Sequence, residues 1–244
     1  MEINLQVPTI GKINPIPCED CQDGLYRLDG KVVECERFTL PPVVKNACPK
    51  KRSQWVEILK KAGIERRYQS AHLKNLKPIY PKEHEFVISY CNTIKDNIEQ
   101  GIGIILRGPV GTGKTTLGIA VLQEALLQGY GAQFVPTASL LDNIFTLKAT
   151  NIEDWASYEK RLRTASMLML DDLGTETDKT DGWVITKLDA IISERYNRML
   201  PVIITTNLTS EAMKGKYAER IIDRLKQTSL VLNFTGKSLR EAKK

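Results

Sequence analysis

The chain has 244 residues, 42% of them apolar and 26% charged, with a net charge of +6. That length accommodates one α/β domain plus a small extra module, and the balance is ordinary for a soluble globular protein. No run approaches the roughly 18–20 uninterrupted apolar residues of a membrane span, and Met1 to Pro17 lacks the basic start and apolar run of a secretory signal, so a cytoplasmic location without a membrane partner is expected.

Residues 1–50 are rich in Pro, Gly and Cys, and their regular signals are short β-like pieces at 24–28 and 31–35. Four of the five cysteines lie here, the fifth being Cys91; an odd count in a reducing compartment argues against a disulfide framework. Cys18 and Cys21 form a two-residue knuckle that places two thiolates on one metal ion, and Cys35 and Cys48 would complete a tetrahedral zinc site. The second pair departs from a zinc ribbon, which repeats C-x-x-C, because twelve residues separate Cys35 from Cys48. The competing reading is reduced thiols with no metal. A region this short, with few large apolar residues, gains most from a metal staple.

Residues 51–82 read as a basic linker. Trp55, Ile58, Leu59 and Ala62 have helical spacing, and Pro78 and Pro81 close the stretch. Residues 45–67 carry eight Lys and Arg against two Glu, a surplus equal to the net charge of the whole chain. Such a concentration suits a phosphate backbone, or it is a solvated helix face.

From residue 83 to the end the pattern alternates. Helices are expected at 83–100, 114–128, 138–147, 152–163, 182–198 and 210–226, and strands at 102–107, 132–136, 166–170, 202–206 and 229–234. The strands are short continuous apolar runs, which implies both faces covered: a parallel five-stranded sheet between helices, the α/β architecture of a P-loop domain.

Gly108-Pro109-Val110-Gly111-Thr112-Gly113-Lys114-Thr115 fits G-x-x-x-x-G-K-[ST] at every fixed position, between an apolar strand and an amphipathic helix. The glycines let bare amides approach phosphate oxygens, and the helix start, from Lys114 through Thr115 and Thr116, favours an anion. Lys114 is expected to reach the β- and γ-phosphates, and the Thr115 hydroxyl to ligate magnesium. A second element is the run 167–170 ending in Asp171-Asp172, which delivers carboxylates to the strand's C-terminal edge. Asp171 is expected to hold magnesium and Asp172 to polarise the attacking water. Asn207, at the tip of the strand 202–206, is the candidate to touch the γ-phosphate or the lytic water, with Thr205 and Thr206 behind it. A GTPase reading meets Asp171-Asp-Leu-Gly174 and Thr186-Lys-Leu-Asp189, but only eleven residues separate the two, too few for the helix and strand that must intervene.

Ala62-Gly-Ile-Glu-Arg-Arg-Tyr68, the phosphate loop, the run 168–176, Thr205-Thr-Asn-Leu208 and Glu219-Arg220-Ile-Ile-Asp-Arg224-Leu225 together resemble the AAA+ helicase loaders of the DnaC/DnaI type. The IstB transposition ATPases share much of this pattern. The resemblance implies an AAA+ fold, ATP rather than GTP, and a slow, magnesium-dependent ATPase stimulated by its partners. It also implies a homo-oligomer with shared sites, in which Arg224, with Arg220 as its rival, reaches the neighbour's ATP. Gly236-Lys-Ser-Leu-Arg240 is the match to a late nucleotide-sensing arginine, without the helical lid that usually accompanies one. The implied function is loading a replicative helicase onto single-stranded DNA, with the Cys-rich module contacting the helicase. The alternative is an IstB-like transposition regulator acting on duplex DNA.

Overall fold

The computed structural model describes residues 25–28, 31–35, 37, 40–44, 47–76, 80–140, 152–175 and 182–240. The chain divides into two compact units, residues 1–56 and 57–244. In the first unit, strands β1 (Leu25–Leu28) and β2 (Lys31–Glu34) pair antiparallel, from Leu25 opposite Glu34 to Leu28 opposite Lys31. Cys35, Ala47 and Cys48 are buried. Helix α1 (Pro49–Lys61) starts on a proline, whose fixed φ and missing N–H suit a first helical position, and ends on Lys60 and Lys61, which complement the negative end of its dipole.

The segment that follows α1 belongs to the second unit. Ile64 is fully buried, the Phe134 amide donates to the Ala62 carbonyl at 2.8 Å, and the Gln123 side chain donates to the Tyr68 carbonyl at 3.1 Å. These bonds tie residues 62–69 to a sheet edge and to a helix of the α/β domain.

Five strands form one parallel sheet: β3 (Gly103–Arg107), β4 (Ala132–Pro136), β5 (Met167–Leu173), β6 (Val202–Thr206) and β7 (Ser229–Asn233), in the order β4-β5-β6-β3-β7. The three inner strands are buried almost throughout, which is why they read as unbroken apolar runs. Edge strand β7 leaves Leu230 and Val231 exposed.

Helices α5 (Ile152–Thr164), α6 (Trp183–Asn197), α7 (Ser210–Lys216) and α8 (Glu219–Thr228) cover one face, where Ile105, Leu168, Leu170 and Ile204 pack with Leu162, Leu188, Ile191, Met213 and Ile221. Helix α4 (Lys114–Leu127) rides on the other face. Its Gly118 lies so close to Met169 that a Cβ would come within 2.7 Å of the methionine's Cε. Helices α2 (Pro81–Asn92) and α3 (Ile94–Glu99) pack against α4.

Two expected helices are each divided. At the first break, between α2 and α3, the Thr93 hydroxyl and the Asn97 amide both bond to the Tyr90 carbonyl, so side chains replace the helical partner of that carbonyl. At the second, between α7 and α8, Tyr217 turns to an extended conformation (φ −111°, ψ 149°) that buries its ring in the core. Of the helix expected over 138–147, only 138–140 lie among the described residues, and they are helical.

Arg195 of α6 is fully buried. Its guanidinium donates to the carbonyls of Leu162 and Ala165, where α5 ends, at 3.0 and 2.9 Å, and to that of Pro201, just before β6, at 2.8 Å. A cation here answers orphan carbonyls and a helix C-terminus at once. Burial lowers its pKa to about 9, which leaves it charged at neutral pH.

Candidate functional site

Strand β3 delivers the chain to the loop 108–113, and α4 begins at Lys114. Gly111 and Gly113 take φ values of +82° and +88°, and a Cβ on Gly111 would stand 2.2 Å from the Ser238 hydroxyl. The Thr112 hydroxyl ties the loop internally by donating to the Pro109 carbonyl at 2.9 Å. The Lys114 ammonium bonds the carbonyls of Gly108 and Pro109, both at 2.7 Å, and Asn207 Oδ1 at 2.8 Å. The phosphate-loop lysine and the polar tip of β6 therefore meet.

The Thr115 hydroxyl donates to Asp171 Oδ1 at 2.8 Å. Strand β5 runs three residues beyond the expected end and carries both aspartates within it. Its ladder with β6 shifts register between Leu170 and Leu173, and Asp172 takes φ +54°. The bulge turns the two neighbouring carboxylates to different surroundings: Asp171 is buried, at 6% exposure, whereas Asp172 is exposed. Thr205 and Thr206 are fully buried. Thr205 bonds Asp171 and the Asp172 amide, and Thr206 donates to the Leu173 carbonyl, so neither turns to the open side where Asn207 stands.

These parts surround a cavity of about 810 Å³, lined by Val110, Gly111, Gly113, Lys114, Thr115, Thr116, Asp172 and Asn207. That size suits a nucleotide. Burial draws the Lys114 ammonium below its ordinary pKa, against the pull of Asp172 and Asp171. Burial pushes the Asp171 carboxyl above the usual carboxylate range, and the hydrogen bonds from Thr205 and Thr115 oppose that. The Thr115 hydroxyl at the cavity wall, bonded to the Asp171 carboxylate behind it, is a hard-oxygen donor set, and it fits magnesium.

The far wall was not legible as a site in the sequence. Arg67, Tyr68, Ser70, Ala71 and Asn75 line it, from a segment whose composition reads as a linker. Arg240 and Leu239 close the rim, where the Leu239 amide donates to the Gly111 carbonyl at 2.8 Å. Tyr80 anchors this tail by donating its hydroxyl to the Lys237 carbonyl. The signal for the far wall was the pattern around Arg66-Arg67-Tyr68; nothing in the sequence marked Tyr80.

Arg220 and Arg224 do not line this cavity. Both engage Asp189 of α6. Arg224 also bonds the Ser193 hydroxyl, stands 5.7 Å from the centre of the Tyr196 ring and is 28% exposed, whereas Arg220 is 65% exposed. Of the expected zinc ligands, Cys18 and Cys21 lie outside the described residues, while Cys35 and Cys48 are buried in the first unit. Among the described residues, no three of His, Cys, Asp and Glu are grouped to hold a metal ion. No described helix is long and apolar enough to cross a membrane.

A parallel sheet of this order, a glycine loop feeding α4 and a carboxylate pair at the end of β5 define an AAA+ P-loop protein. Residues 89–244 match the family described as IstB-like ATP binding protein, and the chain belongs to that family. The chain is 30% identical over 173 residues to the uncharacterized protein YdaV of Escherichia coli (strain K12), covering 69% of this chain and 67% of that one. It is 26% identical over 189 residues to the replicative helicase loader DnaC of Buchnera aphidicola subsp. Schizaphis graminum, covering 75% of each. The crystal structure of the DnaC helicase loader superposes with a TM-score of 0.63 at 24% identity, over 70% of this chain and 100% of that one, a likeness of fold.

Proposed function

We propose that this protein is an ATP-dependent loader that delivers a replicative ring helicase onto single-stranded DNA. The observation that carries this reading is the hydrogen-bonded set Lys114–Asn207 and Thr115–Asp171 around one nucleotide-sized cavity. It occurs in a chain whose relatives include proteins named replicative helicase loader.

The loop amides and the Lys114 ammonium would receive the β- and γ-phosphates. Magnesium, held by Thr115 and Asp171, would neutralise charge on those phosphates. Asp172 would orient and polarise the attacking water, and Asn207, already bonded to Lys114, would fix the γ-phosphate against it. Subunits would share sites through an arginine of α8. Zinc held by Cys18, Cys21, Cys35 and Cys48 would shape the helicase-binding module, a reading supported by the Cys18–Cys21 spacing and by the burial of Cys35 and Cys48.

Fluorescence anisotropy with single- and double-stranded oligonucleotides tests the DNA preference. Affinity for the single strand should rise with ATP and fall steeply with salt, as counterions are released from phosphate contacts. Preference for duplex DNA under the same conditions would move the reading to a transposition regulator.

A further inference from the structure

We infer that Thr205 is a positioning residue that sets the two site carboxylates, through a hydroxyl shared between them; this rests on the nucleotide-site reading above. Thr205 lies in β6, fully buried, opposite the bulged part of β5. Its Oγ1 donates to Asp171 Oδ1 at 2.6 Å and accepts from the Asp172 amide at 2.8 Å. A threonine hydroxyl has one proton, and here that proton goes to Asp171 while a lone pair takes the amide. Both ends of the bridge have a fixed sense.

The bridge has two consequences. The Thr115 hydroxyl also donates to Asp171 Oδ1, so both hydrogen bonds fall on the same carboxylate oxygen and Oδ2 keeps its lone pairs for a metal or its water. Were Thr115 to turn a lone pair toward a bound magnesium, Thr205 would remain as the donor that fixes the plane of the carboxylate. The second consequence is at Asp172. The amide taken by Thr205 belongs to the residue at φ +54°, the point where β5 leaves its ladder with β6. Thr175 closes the other side, its hydroxyl donating to the Asp172 carbonyl at 2.8 Å. Thr205 thus holds open the bulge that sends Asp171 inward and Asp172 to the cavity. Supporting groups of this kind typically change metal affinity or activity about 10- to 100-fold when removed.

The test compares Thr205→Val, which keeps shape and loses the hydroxyl, with Thr205→Ser, which keeps the hydroxyl and loses a methyl. Binding of a fluorescent ATP analogue is measured in excess EDTA and along a magnesium titration, with hydrolysis measured in parallel. The valine variant should bind the analogue in EDTA within about two-fold of wild type, because Lys114 and the loop amides are untouched. It should need about ten-fold more magnesium for half-saturation, the low end of the range for supporting groups. The serine variant should follow wild type. Thr205→Ala gives the same readout should valine disturb the strand. A valine or alanine variant with a wild-type magnesium titration would overturn the inference, as would a serine variant as impaired as the valine one. A wild-type protein that gains no nucleotide affinity from magnesium would instead remove the site reading, and the role of Thr205 with it.

Discussion

Lys114 is 5% exposed and all three of its ammonium protons are engaged, two on loop carbonyls and one on Asn207. A cation so placed gains most when phosphate oxygens supply the compensating charge, since burial alone lowers its pKa. Lys114→Ala should weaken ATP binding by about 1.5–3 kcal/mol, the range for a charge-assisted hydrogen bond, as measured by calorimetry. Affinity unchanged from wild type would remove Lys114 from the site. At this scale the sequence was most informative where a fixed spacing exists: the loop, Asp171 and Asn207, each marked by a motif, are joined by hydrogen bonds through Lys114 and Thr115. It was a poor guide to Thr205 and Tyr80, whose roles come from partners 33 or 34 and 157 positions away. Arg195 was equally hidden, because a buried arginine bonded to three carbonyls has the same one-letter signature as a surface one.

At the scale of the elements, the strands were legible because a sheet covered on both faces demands continuous apolar runs, and β4 and β6 have the expected limits. Helix breaks at Thr93 and Tyr217 were not legible. The first rests on side chains taking up the Tyr90 carbonyl and the second on a tyrosine ring buried in the core, neither on a proline at the break. Helix α8 carries a sharper question. Arg224 is clasped by Asp189, Ser193 and the Tyr196 ring, whereas among the described residues Arg220 shares only Asp189 and is largely exposed. On the proposed shared-site reading, the more exposed Arg220 would be the better placed to reach a neighbour, with Arg224 bracing Asp189. Arg220→Ala should reduce hydrolysis about ten-fold, well below the effect of an arginine finger in a fast switch, and should leave ATP binding intact. Mixing it with Lys114→Ala subunits should restore part of the turnover. Mixtures no more active than either variant alone would show that α8 acts in no neighbour's site.

The N-terminal elements make a separate case. A β1–β2 hairpin alone is marginal in water, so a metal staple would account for the stability of the first unit. Purified protein should contain about one zinc per chain by elemental analysis, and Cys18→Ser should release it. Metal-free protein in which residues 1–50 still resist protease would contradict the site.

For the molecule as a whole, the chain divides into a small unit of residues 1–56 and an α/β unit of 57–244, and the second unit holds the nucleotide cavity. The cavity nevertheless draws on widely spaced parts of the larger unit, from Arg67 near its start to Arg240 near the end of the chain. Nucleotide binding can therefore be felt by the segment that follows α1 and by the tail. The basic surplus of residues 45–67 runs to Arg67, which stands on the cavity wall. On the proposed loader reading, Arg67 at that wall would couple ATP to a grip on single-stranded DNA. The most direct measurement is transfer of the replicative ring helicase onto closed circular single-stranded DNA, scored by displacement of an annealed oligonucleotide. Displacement should appear when wild-type protein and ATP are both present and be lost with Lys114→Ala. Displacement that is the same with wild type, with Lys114→Ala and with no added protein would contradict the account.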